Sequence, residues 1–399
     1  MDITIHPRPL RGEIQIIPSK SIAHRLLICA AFASSETTIV CSDTNRDIEA
    51  TVDCLNALGA HIHRIDLGYS VNPISVIPKS AVLNCHESGS TLRFMLPIAG
   101  ALGVDATFQM AGRLPQRPLS PLWEEMERMG CNLRWISKNE LRVTGKLQPG
   151  DYHIDGGVSS QFITGLLFAA SLLDGDSTIH INGTLESKPY VDMTLQTMKL
   201  FVVDAEGFHV KGGQTYHSPG TIVVEGDWSN GAFFLAAKAL GSNLQVLGLN
   251  PDSAQGDRAV VEILQALEKG MPTISAKDIP DLVPILSVVA AAKNGAVFTD
   301  IRRLRLKESD RVASTLAMIQ NLGGKGEADE NTLTIHGTGL TGGILDAVND
   351  HRIAMAAAIA ATVCKENVTI LGAECVQKSY PKFWEEYARL GGNYEFNLR

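Results

Sequence analysis

Basic side chains recur at equivalent places along the chain, close to Ser, Asp or Glu residues. Eight cations share this placement: Lys20, Arg25, Arg93, Arg117, Lys307, Arg311, Arg352 and Lys378. Several fall at the start of a predicted helix, where a positive charge opposes the helix dipole at a cost of about 0.3–1 kcal/mol. An anionic ligand bound across the helix ends would offset that cost. Carboxyl groups among the cations, at Asp281, Glu308 and Asp350, could transfer protons.

Each motif, taken singly, also has an explanation that needs no ligand. Ser19-Lys20-Ser21 ahead of a helix is typical of an N-cap with a solvated lysine. The run from Lys307 to Arg311 is typical of solvated charges at a helix start, although a helix beginning at Lys307 would point both cations one way. Metal binding at Cys85-His86-Glu87 is disfavoured because adjacent residues chelate poorly. The common placement of the eight cations favours a shared anion site.

These residues lie on a repeated element, a helix that is apolar on nearly every side and begins at a polar residue. Six such helices, here called the inner helices, begin near Ser21, Ser90, Ser159, Ser229, Asp281 and Asp350. Successive starts are 69, 69, 70, 52 and 69 residues apart. A helix that is apolar all round is expected to be buried, and Ser or Asp at its start is expected to cap the first turn. The repeat therefore predicts both a fold and a set of polar helix ends.

Amphipathic helices and short strands separate the inner helices. The amphipathic helices, here called the outer helices, mostly end near Gly, as in DIEATVDCLNALG, and β-like runs such as TTIV at Thr37 precede them. Six repeats account for most of the 399 residues. The short fourth repeat predicts the loss of a strand hairpin between Lys269 and Asp281. We expect two three-repeat domains, formed by residues 18–224 and by residues 1–17 with 225–399.

The composition argues against several classes of function. The net charge is −8, so nonspecific binding to nucleic acid or to a membrane surface is not expected. The longest apolar runs, such as 162–173, are too short to span a bilayer, and the first residues lack the apolar core of a signal peptide. The seven cysteines form no CxxC pair, which is typical of a reduced, cytoplasmic protein. We expect a cytoplasmic monomer.

Nine short motifs follow one another in a fixed order between Pro18 and Pro381: PSKSIAHR, ESGSTLR, QRP, SSQFITGLL, SKPYVD, IPDLVP, LKESDR, NDHR and QKSYP. This ordered set resembles the 5-enolpyruvylshikimate-3-phosphate (EPSP) synthase, or 3-phosphoshikimate 1-carboxyvinyltransferase, family. The resemblance implies an α/β fold of two domains, each of three βαβαββ-type repeats around buried parallel helices (an inside-out α/β barrel), with the active site in the interdomain cleft. It implies transfer of the enolpyruvyl group of phosphoenolpyruvate to the 5-hydroxyl of shikimate 3-phosphate, with release of phosphate. The chemistry would pass through a tetrahedral intermediate and use no metal or organic cofactor.

The resemblance also implies which residues bind the two small-molecule substrates. Shikimate 3-phosphate would be held by Lys20, Ser21, Arg25, Ser159, Ser160, Gln161, Ser187, Asp281 and Lys307. Phosphoenolpyruvate would be held by Lys20, Gly89, Arg117, Gln161, Arg311, Arg352 and Lys378. Asp281 matches the family's proposed base and Glu308 its proposed acid, with Lys20 or Lys307 assisting.

Two other functions are alternatives at the level of sequence. The sister family transfers the same group to UDP-N-acetylglucosamine, but it carries Asn where this chain has Ser21, and a Cys in the loop where residues 111–116 have none. A non-catalytic anion-binding protein could use the same repeat, although carboxyl groups beside the cations disfavour it. The chain departs from the family pattern at Trp228 and at Arg303, so no substrate contact is assigned to Arg303. The fourth inner helix, near Ser229, is expected to be mostly structural.

Overall fold

Helices alternate along the chain between the inner and outer types. The computed structural model describes residues 1–397. Within that range there are twelve α-helices: α1 (Lys20–Ala31), α2 (Arg46–Ala57), α3 (Gly89–Leu102), α4 (Leu122–Arg128), α5 (Ser160–Ser171), α6 (Lys188–Leu200), α7 (Trp228–Ala239), α8 (Val260–Lys269), α9 (Val283–Ala292), α10 (Arg311–Asn321), α11 (His351–Ala360) and α12 (Phe383–Arg389). The odd-numbered helices are the predicted inner helices, and the even-numbered ones are the predicted outer helices.

Short strands connect the helices, as the β-like runs predict. Over the same described range the strands are β1 (Asp2–His6), β2 (Arg11–Gln15), β3 (Thr37–Val40), β4 (His61–Ile65), β5 (Gly68–Asn72), β6 (Ser80–His86), β7 (Asp105–Met110), β8 (Cys131–Ser137), β9 (Glu140–Gly145), β10 (Asp151–Asp155), β11 (Ser177–Asn182), β12 (His209–Val210), β13 (Thr221–Val223), β14 (Asn243–Leu247), β15 (Thr273–Ser275), β16 (Ala296–Thr299), β17 (Lys325–Ala328), β18 (Leu333–His336), β19 (Gly343–Asp346), β20 (Val368–Leu371) and β21 (Asn393–Asn397). The α/β class is therefore confirmed.

The first of two compact units, here called the N-terminal unit, is Pro18–Glu225. Its described strands form sheets with the orders β13-β3-β5-β4, β6-β7-β9-β8 and β10-β11-β12. In the second of these, β6 and β7 are parallel and α3 connects them, while β8 and β9 are an antiparallel hairpin added at one edge. A parallel pair joined through a helix places that helix against the sheet, and α5 connects the parallel strands β10 and β11 in the same way.

The second unit, here called the C-terminal unit, is Met1–Ile17 together with the chain from Gly226 onward. Strand β1 pairs antiparallel with both β20 and β21, and β2 pairs parallel with β14. The remaining described sheet has the order β15-β16-β18-β17. In the fourth repeat, α8 ends at Lys269 and β15 begins at Thr273, so no hairpin intervenes. The predicted loss of a hairpin after Lys269 is confirmed.

The inner helices form the cores of both units. Every residue of α11 is buried, and so is all of α9 from Val283 to Ala291. Full burial of one aliphatic side chain contributes roughly 1.5–3 kcal/mol, so these helices are stabilised by packing more than by helix propensity. Helices α3 and α5 approach so closely that a Cβ at Gly165 would lie 2.4 Å from the carbonyl oxygen of Arg93. Their first turns are therefore neighbours.

The predicted helix starts are correct in two of the six cases. Ser159 caps α5 and Asp350 caps α11, each accepting from a backbone N–H two residues later. In α1, α3 and α7 the N-cap lies two residues before the predicted start, at Ser19, Ser88 and Asp227. The prediction is wrong at α9, which follows Leu282 without a side-chain cap. Asp281 is left outside that helix, and its carboxylate binds arginines instead.

Candidate active site

The first turns of α3 and α5 share a hydrogen-bonded network in the N-terminal unit. Arg93, buried in α3, donates from Nη1 to Oε1 of Gln161 at 2.8 Å. Gln161 in turn donates from Nε2 to the hydroxyl oxygen of Ser90 at 2.9 Å. A second nitrogen of Arg93 donates to the Pro118 carbonyl at 3.1 Å, which ties the loop after β7 to the same place. The amide of Gln161 is therefore held in one orientation at the helix ends.

Gly89, the first residue of α3, makes room for the guanidinium of Arg117. A Cβ at this position would lie 2.5 Å from Nη1 of Arg117 and 3.1 Å from Nη1 of Arg93. Two guanidiniums therefore lie next to one another over the N-terminus of a 14-residue helix. Neighbouring positive charges and the N-terminal end of a helix together favour an anion. Of the residues expected to bind phosphoenolpyruvate, the structure brings Gly89, Arg117 and Gln161 together here.

Lys20 and Arg25 both lie in α1 but make different contacts. Lys20 donates from Nζ to Oδ2 of Asp47, the second residue of α2, at 2.8 Å, and both side chains are half-buried. Arg25 is 2% exposed and donates to the Ser21 carbonyl at 2.6 Å, the Tyr190 carbonyl at 2.8 Å and the Thr194 hydroxyl at 2.9 Å. Burial lowers the pKa of Arg25 to about 10, so it remains charged at neutral pH. Its contacts fasten α1 to α6.

The serines expected to bind shikimate 3-phosphate lie at the starts of α5 and α6. Ser159 accepts from the Gln161 N–H at 3.3 Å, and Ser160 is buried as the first residue of α5. Ser187, immediately before α6, is also buried and has φ of 55°. A left-handed backbone is uncommon for a residue with a Cβ and costs of order 1 kcal/mol or more. Such strain is frequent at binding sites.

Arg311 is the centre of a carboxylate network in the C-terminal unit. Its side chain is 1% exposed. It donates to Asp281 Oδ1 at 2.7 Å, to Glu308 Oε2 at 2.5 Å and to both oxygens of Asp350 at 3.1 and 3.4 Å. Burial opposes its charge, but the three carboxylates outweigh that effect and raise the pKa of Arg311. The arginine thus fixes Asp281 and Glu308, the two carboxyl groups that the family resemblance assigns to proton transfer.

Asp281 bridges two arginines. Its Oδ1 accepts from Arg311, and its Oδ2 accepts from Nη2 of Arg352 at 3.3 Å. Arg352, in the first turn of α11, also donates to the Ser229 carbonyl at 3.5 Å. Burial opposes the charge of Arg352, while Asp281 and other nearby carboxylates attract it, and the pKa of Arg352 is raised overall. Asp281, Glu308, Arg311 and Arg352 therefore form one connected group.

Lys307 and Lys378 lie beside this group. Helix α10 begins at Arg311 behind the cap Asp310, and Lys307 before it is extended, so Lys307 and Arg311 do not share a helical face. Lys307 is half-buried, and desolvation, reinforced by Arg303 and Arg311 and opposed by Asp281 and Glu308, lowers its pKa to about 8. Lys378 is buried and donates from Nζ to the Asn349 carbonyl at 2.9 Å, next to the cap of α11.

Sequence reasoning missed several residues that hold candidate site residues in place. Ser309, within LKESDR, donates to Asp350 at 3.0 Å, and in the N-terminal unit Asp47 accepts from Lys20. Asp257 has no matching sequence signal of this kind, because the loop that contains it carries none of the eight cations. Asp257 lies in the 3-10 turn that leads into α8, and Asp47 is the second residue of α2, so both acids stand near the start of an outer helix; this shared placement was the available signal.

Two classes of site are not found within residues 1–397. No group of three or more His, Cys, Asp or Glu side chains in that range is arranged to hold a metal ion. Over the same residues, no helix combines the length and apolar character needed to cross a membrane.

Comparison with known proteins gives one consistent family. The sequence profile of the EPSP synthase (3-phosphoshikimate 1-carboxyvinyltransferase) family matches residues 5–387. A 3-phosphoshikimate 1-carboxyvinyltransferase of Clostridium kluyveri is 40% identical over 415 residues, covering 98% of this chain and 97% of the relative. Another, from Clostridium acetobutylicum, is 39% identical over 426 residues, covering 99% of each.

Solved structures agree on the fold. An EPSP synthase from Acinetobacter baumannii superposes with a TM-score of 0.81 at 22% identity, covering all of both chains. The enolpyruvyl transferase NikO from Streptomyces tendae gives a TM-score of 0.77 at 17% identity, covering 100% of this chain and 99% of that one. At these identities the likeness shows the fold alone, whereas the profile match and the relatives near 40% identity decide the family. The chain belongs to the EPSP synthase (3-phosphoshikimate 1-carboxyvinyltransferase) family.

Proposed function

We propose that this protein transfers the enolpyruvyl group of phosphoenolpyruvate to the 5-hydroxyl of shikimate 3-phosphate and releases inorganic phosphate. The observation that carries the proposal is the family match over residues 5–387. The chain retains the cations and carboxyl groups that this reaction needs at the matching motifs. Relatives that share 38–40% of its sequence carry the name 3-phosphoshikimate 1-carboxyvinyltransferase.

Phosphoenolpyruvate bears a phosphate and a carboxylate, and two sets of cations fit these groups. In the N-terminal unit we assign it to Arg117 over the backbone of Gly89, with Gln161 and Lys20. In the C-terminal unit we assign it to Arg311, Arg352 and Lys378. Four of the five N–H donors of Arg311 point to carboxylates. Arg311 therefore contributes mainly by orienting the acids and has one donor left for the substrate.

Shikimate 3-phosphate is assigned to the hydroxyl-rich helix starts of the N-terminal unit. The residues are Lys20, Ser21, Arg25, Ser159, Ser160, Gln161 and Ser187, with Asp281 and Lys307 from the C-terminal unit. Because the donors of Arg25 are directed at α6, at Thr164 of α5 and at its own helix, Arg25 would act largely through its charge and by fixing α1. The proposal requires residues of both units to act on one pair of substrates.

The addition step joins the substrates. The 5-hydroxyl oxygen attacks C2 of phosphoenolpyruvate, its proton passes to Asp281, and Glu308 gives a proton to C3. The product is a tetrahedral intermediate whose C2 carries the new ether oxygen and the phosphate ester. Each carboxylate oxygen has about two acceptor sites. The ion pairs with Arg311 and Arg352 therefore do not by themselves prevent Asp281 from accepting the hydroxyl proton.

The elimination step regenerates the double bond. The bond from C2 to the bridging oxygen breaks, and phosphate departs with that oxygen and the electron pair, taking the proton held by Asp281. Glu308 removes a proton from the new methyl group. Protons balance over the two steps and no electrons are exchanged, so the steps as written need no redox cofactor. Lys307, with its pKa lowered to about 8, can assist as an acid near neutral pH, and Lys20 is the alternative assisting group.

Phosphate release in the presence of both substrates tests the proposal. Purified protein is incubated with phosphoenolpyruvate and either shikimate 3-phosphate or UDP-N-acetylglucosamine. We expect stoichiometric phosphate only with shikimate 3-phosphate. Release only with the UDP-sugar would assign the chain to the sister activity, and no release from folded protein would favour a non-catalytic anion-binding role.

We also propose that the protein works as a cytoplasmic monomer, independent of nucleic acid and membranes. The net charge of −8 and the free, buried state of all seven cysteines support this setting. Light scattering coupled to gel filtration should give the mass of one chain, and a dimer mass would contradict the monomer. Cell fractionation should recover the protein with cytoplasmic markers.

A further inference from the structure

The fourth inner helix, expected to be mostly structural, begins beside a buried carboxyl group. Asp257 lies in the 3-10 turn Gly256–Ala259 and is 2% exposed. Its Oδ2 accepts a short hydrogen bond from the hydroxyl of Ser229, in the first turn of α7. Its Oδ1 is also buried and has no hydrogen-bond partner within the described residues. Leaving a buried carboxylate oxygen without a partner costs on the order of 1–3 kcal/mol.

Ser229 links Asp257 to the carboxylate network described above. The carbonyl oxygen of the same serine accepts from Nη1 of Arg352, whose other terminal nitrogen donates to Asp281. One residue therefore holds Asp257 through its side chain and Arg352 through its backbone. A change at Asp257 that moves the first turn of α7 would move a hydrogen-bond acceptor of Arg352.

Four charged residues surround or adjoin Asp257. Asp281, ahead of α9, and Asp227, the N-cap of α7, disfavour its ionised form, whereas Arg352 of α11 favours it. Arg258, its neighbour in the chain, is exposed and donates instead to the Pro251 carbonyl. Burial is the largest influence, followed by Asp281, and together they raise the pKa of Asp257 to about 7. The group therefore changes charge near neutral pH.

We propose that Asp257 is a positioning residue for Arg352, and that it takes up a proton when an anionic ligand binds that arginine. An anion at Arg352 cancels the positive potential that stabilises the Asp257 carboxylate and adds negative charge nearby. Protonation of Asp257 removes that repulsion and lets its neutral carboxyl group keep the hydrogen bond to Ser229. Ligand affinity should therefore fall as pH rises through the range in which Asp257 ionises.

The inference rests on the proposed function for the identity of the anion, which is phosphoenolpyruvate. The test measures KM for phosphoenolpyruvate between pH 6 and pH 8.5 at saturating shikimate 3-phosphate, in wild type and in Asp257→Asn. The substrate phosphate itself titrates near pH ~6, but it does so equally for both proteins. The difference between the two pH profiles therefore isolates Asp257.

We expect equal KM values at pH 6, where Asp257 is protonated, and a lower KM for Asp257→Asn at pH 8. If only protein with protonated Asp257 binds phosphoenolpyruvate well, the KM of wild type at pH 8 should be about tenfold higher than that of Asp257→Asn. The factor follows because pH 8 is one unit above the pKa of about 7. Asp252→Asn is the matched control, since Asp252 is exposed in the same loop. Its profile should follow wild type.

A second variant, Ser229→Ala, tests the same inference if Asp257→Asn fails to fold. Ser229→Ala removes the hydrogen bond that stabilises the Asp257 carboxylate, so the rise in KM should shift to higher pH. Unchanged profiles in both folded variants would overturn the inference while leaving the proposed function intact. A wild-type protein with no turnover at any pH would instead remove the proposed function.

Discussion

Replacing Gly89 by Ala tests the arrangement at the start of α3. The added methyl would lie 2.5 Å from Nη1 of Arg117, whereas ordinary contacts begin at 3.4 Å. The guanidinium must therefore move by about 0.9 Å. Because this is the free end of a flexible side chain, the fold can accommodate the shift. An error of that size in a group that binds substrate can reduce rate by about 10²-fold, and weakening one hydrogen bond to a charged group costs about 1.5–3 kcal/mol.

We therefore expect Gly89→Ala to raise KM for phosphoenolpyruvate by about tenfold to a hundredfold. The melting temperature and the KM for shikimate 3-phosphate should change little. Steady-state kinetics with each substrate varied in turn, together with a thermal melt, measure these effects. Gly270→Ala is the matched control, because its backbone is extended and a Cβ there meets nothing within 4 Å. An unchanged KM for phosphoenolpyruvate in folded Gly89→Ala would refute the placement of Arg117 in the site.

Three further predictions concern the charged residues. Lys20→Met should lower kcat/KM for phosphoenolpyruvate by at least about tenfold with little change in melting temperature; a collapsed melt or wild-type turnover would contradict this. Arg311→Met should lower the free energy of unfolding by about 3–5 kcal/mol, because it leaves Asp281, Glu308 and Asp350 without their shared cation. Urea unfolding at pH 7 measures this loss, and a loss below about 1 kcal/mol would be inconsistent with the network. Turnover should fall as pH rises through about 8, where Lys307 loses its proton. Lys307→Arg should remove this alkaline fall in the pH profile, because Arg stays charged. An identical alkaline fall in the variant would exclude Lys307 as its source.

As pH rises, the titration of Lys307 should increase the stability of the fold, whereas it should decrease turnover. The folded-state pKa of about 8 lies below the usual value of 10.5, so the unfolded chain binds more protons between these two values. The contribution of Lys307 to stability therefore becomes more favourable as pH rises from about 8 toward 10.5. Urea unfolding of wild type against Lys307→Met across this range should show the difference.

The repeat was predictable from sequence because burial leaves a direct trace in the pattern. Helices such as α9 and α11 are apolar on all sides, and a segment of that kind has no stable place except inside a core. The missing hairpin after Lys269 was visible as a shorter spacing for the same reason. Helix starts were less predictable, since several polar residues often stand together, as Ser19 and Ser21 do, and tertiary packing selects the cap.

The site was predictable in its residue types but not in its pairings. Sequence motifs identify Arg311 and Asp281 as candidate site residues. The motifs do not show that Arg311 contacts three carboxylates or that Asp281 accepts from two arginines. Asp257 was missed because its partner is a hydroxyl group and its neighbours in the chain carry no matching motif. Such contacts are formed by residues about 28 to 71 positions apart and depend on the packing of the helices.

The route of one oxygen atom tests the central claim most directly. Phosphoenolpyruvate labelled with ¹⁸O at the bridging position is incubated with shikimate 3-phosphate and the protein, and the products are analysed by mass spectrometry. Addition followed by elimination breaks the bond between C2 and the bridging oxygen, so all of the label should appear in inorganic phosphate. The organic product should be unlabelled shikimate 3-phosphate bearing an enolpyruvyl ether. Label retained in the organic product, or free pyruvate in place of the ether, would contradict the account.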